Sequence, residues 1–252
     1  MRLYHIGFSK SDLGSNAPKT VLLSGEPERS RYIAHTYLQN VKLLSEYRGL
    51  NSYLGNLPNG KPVLIATSGM GASSLSIVVN ELVQVGITQF IRIGTCGSIQ
   101  TTVPVGSIVV SQAALCRQGA ALDIAPPEYP AVSDPYLTVG LVEMARKLNI
   151  PYHLGITASV DTFYEGQERV ESSANPHLQP WLKGITATYR RLNILNYEME
   201  TGTLLKMAGV YGFAAASVCA VVAQRTEAET IFVADKDSTV NKAIEVAVKS
   251  LL

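Results

Sequence analysis

The chain has 252 residues, of which 46% are hydrophobic and 16% are charged, and its formal net charge at pH 7 is +1. This composition excludes a disordered chain, and the even balance of acidic and basic residues argues against binding to nucleic acid through its phosphates. The three widely spaced cysteines favour neither disulfides nor zinc, and the sequence has neither an apolar leader nor a run long enough to span a membrane. We therefore expect a soluble, cytoplasmic protein that binds no metal, nucleic acid or membrane.

Short β-branched runs alternate along the chain with segments of helical periodicity. Compact apolar runs bounded by glycine or turn residues predict buried strands over residues 20–24, 61–68, 89–93, 107–111, 152–159 and 213–223. Apolar positions at helical spacing predict helices over residues 73–86, 136–149, 198–209 and 240–251. Alternation of this kind predicts an α/β fold, with one domain over residues 1–252 and a largely parallel sheet covered by helices on both sides.

Glycine and arginine cluster where three predicted strands end. Gly25 and Arg29 follow the first strand, a glycine pair lies at 69–71 after the second, and Arg92 lies inside the third beside 94–97 (GTCG). Ligands collect at the carboxyl ends of parallel strands, where glycine lets a backbone N–H approach an anion and arginine offers a fork for phosphate. Any one of these residues can instead merely end a strand or face solvent. Neither glycine cluster matches a dinucleotide or ATP fingerprint, so those ligands are not predicted.

Two further segments combine polar groups that suit a nucleoside. The segment 161–169 (DTFYEGQER) has an aromatic pair that can stack on a flat ring, followed by an amide and a guanidinium that can bond its edge. The segment 196–200 (NYEME) has carboxylates that can accept two hydroxyls of a sugar. Each segment also has a simpler interpretation, as a polar surface loop and as acids that favour the start of a helix.

Four motifs then occur in order: 25–29 (GEPER), 92–97 (RIGTCG), 161–169 and 196–201 (NYEMET). Together they resemble the nucleoside phosphorylase family, and within it the bacterial uridine phosphorylases, over essentially the whole chain. The resemblance implies a mixed, partly closed sheet flanked by helices. It also implies phosphorolysis of uridine to uracil and ribose 1-phosphate through an oxocarbenium-like transition state, in pyrimidine salvage, and leaves open whether deoxyuridine or thymidine is cleaved. Phosphate is then a co-substrate, and no cofactor is required.

The resemblance also implies a role for each matching residue. The phosphate-binding residues are Gly25, Arg29, Arg48, Arg92 and Thr95. The ribose-binding residues are His5, Thr95, Met199 and Glu200. The base-binding residues are Cys96, Gly97, Phe163, Gln167, Arg169, Glu198 and Arg225. The catalytic residues among them are Arg92, Thr95, Arg169 and Glu200.

By the same resemblance, His5 and Arg48 come from a neighbouring subunit. This implies a homo-oligomer with sites shared between paired subunits, and the family suggests a hexamer built as a trimer of dimers. Gly49 stands where the uridine enzymes typically have a glutamate associated with a monovalent-cation site, which argues against that site here. Two other residues depart from the uridine enzymes: Cys96 replaces a threonine, as often in purine-cleaving relatives, and Gln224 replaces an asparagine.

The alternatives are a purine nucleoside phosphorylase on the same fold and a non-catalytic nucleoside-binding protein. Purine enzymes generally have an aspartate in the segment here occupied by 223–225 (AQR), where this chain has no carboxylate. The pair Gln167 and Arg169 also favours a pyrimidine. The presence of Arg92 and Glu200, which turnover requires, favours an enzyme over a storage protein.

Overall fold

The computed structural model describes residues 1–226, 229–231 and 236–252. Its strands are β1 (Thr20–Ser24), β2 (Gln39–Ser45), β3 (Ser52–Asn56), β4 (Pro62–Thr67), β5 (Gln89–Ser98), β6 (Ile108–Arg117), β7 (Tyr152–Val160), β8 (Ile194–Glu198), β9 (Ala214–Arg225) and β10 (Glu229–Ile231). Its α-helices are α1 (Pro27–Tyr37), α2 (Ala72–Gln84), α3 (Gly119–Leu122), α4 (Pro135–Lys147), α5 (Ile185–Arg191), α6 (Thr201–Tyr211) and α7 (Lys236–Lys249).

These strands form one mixed sheet in the order β10-β9-β6-β7-β8-β5-β1-β4-β3-β2, with an additional pairing of β9 with β5. The first half of β5 lies parallel to β1, its whole length lies parallel to β9, and its last two residues pair antiparallel with β8. This three-way pairing partly closes the sheet on itself. The longest ladders, β5 with β9 and β6 with β7, are parallel. The predicted α/β class with a mixed, partly closed sheet is therefore confirmed.

Both faces of the sheet are buried, which explains the continuous apolar runs of its central strands. Along β1, Leu22 packs on the side of α1, α4 and α7, whereas Val21 and Leu23 pack on the side of α2 and α6. This division follows from the alternation of side chains along a strand. Among the described residues, no helix is both long enough and apolar enough to cross a membrane.

Several element boundaries differ from the sequence-based prediction. The strand predicted over 89–93 continues through the glycines to Ser98, because its second half pairs with β9 and β8. The helix predicted over 198–209 begins later, at Thr201, since Glu198 still belongs to β8. The strands β2 and β3 were not predicted, because β2 is largely exposed and has no apolar alternation.

Candidate active site

A cavity of about 550 Å³ opens where β1, β5, β8 and β9 end. Most of the residues predicted to bind substrate line it together: Gly25, Arg29, Arg92, Thr95, Cys96, Gly97, Phe163, Gln167, Arg169, Glu198, Met199 and Glu200. The lining also includes residues for which the sequence predicted no substrate contact: Glu26, Pro27, Met70, Gly94, Tyr197, Val222, Ala223 and Lys236. Of these, Glu26 could have been found from its place beside Arg29 in the first motif. His5, Arg48 and Arg225 do not line this cavity.

The buried guanidinium of Arg92 forms one end of the cavity. A Cβ at Gly94 would lie 1.7 Å from Arg92 Nη1, so only glycine lets the arginine fold back over its own strand. Arg92 Nη2 donates to the Glu200 carboxylate and lies 3.1 Å from Glu198 Oε2. Burial opposes the charge, but the two carboxylates outweigh it and raise the pKa of Arg92. Arg92 therefore stays positively charged although it is out of solvent.

A second guanidinium, that of Arg29, lies beside the first. Its Nη1 donates to the Ile93 carbonyl at 3.3 Å, and its Nη2 lies 3.0 Å from Glu26 Oε2. Burial lowers the pKa of Arg29, and the nearby positive charge of Arg92 also contributes to this shift. Because the two cations destabilise each other, an anion bound between them would relieve the repulsion.

The carboxylates Glu198 and Glu200 stand two residues apart but have different surroundings. Glu200 Oε1 accepts a hydrogen bond from the Gly71 backbone at 2.6 Å, and its other oxygen accepts from Arg92. Glu198 Oε2 instead accepts from the backbone N–H groups of Glu200 and Thr201 at 2.9 and 2.8 Å, and Oε1 accepts from Ser159. Glu198 thus orients the start of α6, and its predicted contact with a base stays a prediction.

The other end of the cavity combines an aromatic ring, an amide and a guanidinium. Arg169 Cζ lies 4.1 Å from the ring centroid of Phe163, and Arg169 Nε donates to Gln167 Oε1 at 3.4 Å. Burial, together with the charge of Arg225, lowers the pKa of Arg169 to about 10. A planar ligand can therefore meet a half-exposed ring and two buried polar side chains in one place.

Arg225 supports this end of the cavity from outside. It donates to the backbone carbonyls of Gln167 and Glu168 at 2.6 and 3.3 Å, so it holds the segment that contains the amide. Beside it, Gln224 Nε2 donates to the carbonyls of Gln100 and Val103. This residue, which replaces the asparagine of the family pattern, therefore has a structural role.

His5 and Arg48 both contact Tyr4, and neither lines the cavity. Arg48 Nη2 donates to Tyr4 Oη at 3.1 Å on an exposed surface, and the Tyr4 ring meets the His5 ring edge-on at 4.9 Å. His5 is held by Glu81, whose Oε1 is 2.7 Å from His5 Nδ1. The two residues are therefore outside the cavity of their own chain and are linked through Tyr4.

The residues that line the cavity suit a ligand that has an anionic group and forms hydrogen bonds. Among the described residues, no group of three or more His, Cys, Asp or Glu is placed to hold a metal ion. Cys96 is buried, and burial raises the pKa of its thiol well above the ordinary value, so it meets a ligand as a neutral group. The cavity thus offers two guanidinia for an anion, a carboxylate beside them and an aromatic–amide–guanidinium end.

Comparisons with known proteins agree with this arrangement. The profile of the Phosphorylase superfamily matches residues 19–252. The uridine phosphorylase of Salmonella typhimurium is 38% identical over 248 residues, which cover 98% of this chain and 96% of that protein. The uridine phosphorylase of Thermococcus kodakarensis is 34% identical over 226 residues, which cover 90% of this chain and 79% of that protein. A DeoD-type purine nucleoside phosphorylase of Bacillus velezensis is 30% identical over 249 residues, which cover 98% of each chain. The chain belongs to the phosphorylase superfamily.

Proposed function

We propose that the protein is a uridine phosphorylase, which cleaves uridine with inorganic phosphate to uracil and ribose 1-phosphate. The observation that carries the proposal is that one cavity combines the guanidinia of Arg29 and Arg92, the carboxylate of Glu200 beside Arg92, and the pair Gln167 and Arg169. These groups match the phosphate, the ribose and the uracil of the reaction. Relatives named uridine phosphorylase, at 34–38% identity, support the same conclusion.

The chemistry needs positioning and electrostatic stabilisation. The bond between C1′ and the base breaks and its electron pair leaves with uracil, while a phosphate oxygen forms the new bond to C1′. Arg29 and Arg92 hold the phosphate beneath the sugar, where its charge stabilises an oxocarbenium-like carbon. Arg169 donates to the departing base, whose negative charge exists mainly in the transition state. Phosphate is a co-substrate, and the reaction uses no organic cofactor or metal.

A purine nucleoside phosphorylase is the second candidate. Two observations favour it: purine-cleaving relatives often have a cysteine at the position of Cys96, and a DeoD-type relative is 30% identical. Against it, the segment 223–225 has no carboxylate that could protonate a purine. A carboxamide at Gln167 can instead pair with a carbonyl and the adjacent N–H of uracil.

The test of the proposed function is a spectrophotometric assay of uridine cleavage with and without phosphate. We expect cleavage only with phosphate, and Arg92→Met should lower its rate by about 10²- to 10³-fold because the buried cation is lost. Arg146→Met is the matched control, since Arg146 lies on α4 and its Nε donates to Tyr152 Oη, away from the cavity. Comparable cleavage in phosphate-free buffer would identify a hydrolase and refute the proposal.

We further propose a homo-oligomer with sites shared between paired subunits, in a hexamer built as a trimer of dimers. The support is that the exposed Arg48 and the half-buried His5 both contact Tyr4 and that neither lines the cavity of its own chain, so a neighbour can receive them. Subunits with Arg48→Ala and subunits with Arg92→Ala should regain activity when mixed, because one site of a hybrid dimer then has both arginines. No recovery despite demonstrated subunit exchange would count against shared sites.

We also propose that the enzyme works in the cytoplasm, in pyrimidine salvage. The three cysteines are all free, which suits a reducing compartment.

A further inference from the structure

The turn that presents Met199 and Glu200 to the cavity leads directly into α6, which begins at Thr201. The first backbone N–H groups of a helix have no partners inside it and must bond elsewhere. Those of Glu200 and Thr201 donate to Glu198, as described above. The next two N–H groups show that the rest of this turn is also held by buried side chains.

These two N–H groups are bonded by side chains from other elements. The N–H of Gly202 donates to Ser159 Oγ on β7 at 2.8 Å, and the N–H of Thr203 donates to Gln118 Oε1 at 2.9 Å. Ser159 and Gln118 are both almost completely buried. Both side chains also bond the residues before the helix: Ser159 donates to the Glu198 carboxylate, and Gln118 donates to the Met199 carbonyl.

Gln118 bonds both ends of the turn at once. Its Nε2 donates to the Met199 carbonyl at 2.5 Å, while its Oε1 accepts from the N–H and the hydroxyl of Thr203 at 2.9 and 2.8 Å. The amide orientation is determined by these partners, because the carbonyl needs a donor and the N–H needs an acceptor. The proposed reaction does not use Gln118 itself, which lies between β6 and α3.

We propose that Gln118 is a positioning residue for ribose: it ties the Met199 carbonyl to Thr203 and thereby fixes the turn that aims Glu200 at the sugar hydroxyls. The inference rests on the proposed function, since it concerns the sugar of the same substrate. Arg92 and the Gly71 N–H hold the carboxylate of Glu200, whereas Gln118 holds the backbone of the turn from which that side chain extends. The base end of the cavity is held separately, by Arg225.

The sharpest variant is Gln118→Glu, which keeps size and shape. One carboxylate oxygen can still accept from Thr203, but the other replaces the donor that faces the Met199 carbonyl. Two oxygens then meet at the former 2.5 Å separation, so the turn must move unless the new carboxyl takes up a proton. Burial of an acid raises its pKa, so protonation within the assay range restores a donor.

The charged and titratable groups around position 118 do not obscure this titration. Cys116 Sγ on β6 is 3.7 Å from Gln118 Oε1, and burial raises the pKa of its thiol, so it stays neutral. Lys206 on α6 donates to the carbonyls of Pro126 and Pro127. The Asp161 carboxylate accepts from the N–H of the neighbouring Gly119 at 2.7 Å, and Glu198 and Glu200 lie at the other side of the turn; all three carboxylates are also present in the wild-type reference.

The experiment measures kcat/KM for uridine against pH for the wild type and Gln118→Glu, together with calorimetric binding of uridine and of uracil. At pH 8 we expect kcat/KM to fall about 10- to 100-fold, the range for an unpaired buried polar group, and the ratio to wild type to recover as pH falls to about 6. Uridine binding should weaken while uracil binding and the KM for phosphate stay unchanged. A ratio to wild type that is constant with pH, or an equal loss of uracil binding, would overturn the proposal.

Two further variants keep the test decisive. Gln100→Glu is the matched control, because Gln100 Nε2 likewise donates to backbone carbonyls, those of Arg190 and Ile194, outside the cavity. It should leave the ratio of uridine to uracil affinity unchanged. If Gln118→Glu does not fold, Gln118→Met loses the same bonds without a charge and should show the selective loss of uridine binding independently of pH. A wild type that binds uridine without cleaving it would refute the proposed function and leave the binding comparison to decide the role of Gln118.

Discussion

Adding one methyl group at Gly94 should displace the buried cation of the active site. The Cβ of an alanine there would lie 1.7 Å from Arg92 Nη1, 2.7 Å from its Cζ and 3.0 Å from its Nη2. Non-bonded heavy atoms rest at about 3.5–4.0 Å, so the guanidinium must retreat by about 2 Å. The contacts of Arg92 Nη2 with Glu198, now 3.1 Å, and with Glu200 would then lose their present geometry.

The size of the effect follows from what Arg92 does. A hydrogen bond to a charged group contributes about 1.5–3 kcal/mol, so the turn with Glu198 and Glu200 loses about that much stabilisation. Loss of one preorganised donor at a reacting charge costs about 10²- to 10³-fold in kcat. We therefore expect Gly94→Ala to lower kcat/KM for uridine by about 10²-fold or more.

The assay is the initial rate of uridine cleavage over a range of phosphate concentrations. Gly140→Ala is the control, because no atom lies within 4 Å of the added Cβ in α4 and its rate should match the wild type. In an Arg92→Met background, Gly94→Ala should cost little more, since the group it displaces is already gone. A single Gly94→Ala variant as active as the wild type, or one that loses as much again in that background, would refute the reasoning.

Two other predictions concern the base and the amino terminus. Gln167→Ala and Arg169→Ala should each lower uridine turnover more than about tenfold, with phosphate affinity intact. Cytidine should be cleaved roughly 10⁴-fold less efficiently than uridine, because its amino group faces hydrogen-bond donors of the site. Inosine cleaved as fast as uridine would contradict the assignment of base choice to these two residues. Although burial raises the pKa of a carboxyl, the N–H groups of Ile6 and His5 donate to Glu81 and hold its pKa below the ordinary value. Its ionised form therefore stabilises the fold above about pH 4, and the Tm difference between wild type and Glu81→Gln should shrink as pH falls below that range; a pH-independent difference would contradict it.

The sequence predicts best what depends on local pattern. The strand Thr20–Ser24 was predicted with the bounds that the structure has, because an apolar run ended by glycine in a two-sided sheet admits few alternatives. The helix α2 differs from its prediction only at the ends. Boundaries failed where long-range pairing decides them: β5 continues past Gly94 because β9 offers partners, and those partners lie more than 100 residues away.

The candidate site shows the same division. Local sequence showed glycine, arginine, aromatic and carboxylate groups at the ends of strands and in two polar segments, and the resemblance to the nucleoside phosphorylase family implied which residues meet in the site; most of them line one cavity. The ties that hold those groups could not be predicted, since the bond from Arg225 to the Gln167 carbonyl and the bonds of Gln118 across the turn at Met199 join segments far apart in the chain. Neither bond leaves a periodicity or a spacing in the sequence.

Glu198 and Glu200, the two carboxylates of segment 198–200 (EME), show that the contacts formed in the fold determine the role of each residue more than the motif does. In a continued strand, Glu198 and Glu200 would point to the same side and compete for the same partners. In a continued helix they would point to different sides, and one would leave the cavity. The chain does neither, because β8 ends at Glu198 and α6 begins at Thr201. Both carboxylates contact Arg92, but Glu198 also accepts from the N–H groups of the new helix, whereas Glu200 also accepts from the Gly71 N–H. A single strand-to-helix transition therefore gives the two carboxylates different partners besides Arg92. Any group that fixes this transition, as we infer for Gln118, acts on the part of the cavity that we propose binds the sugar.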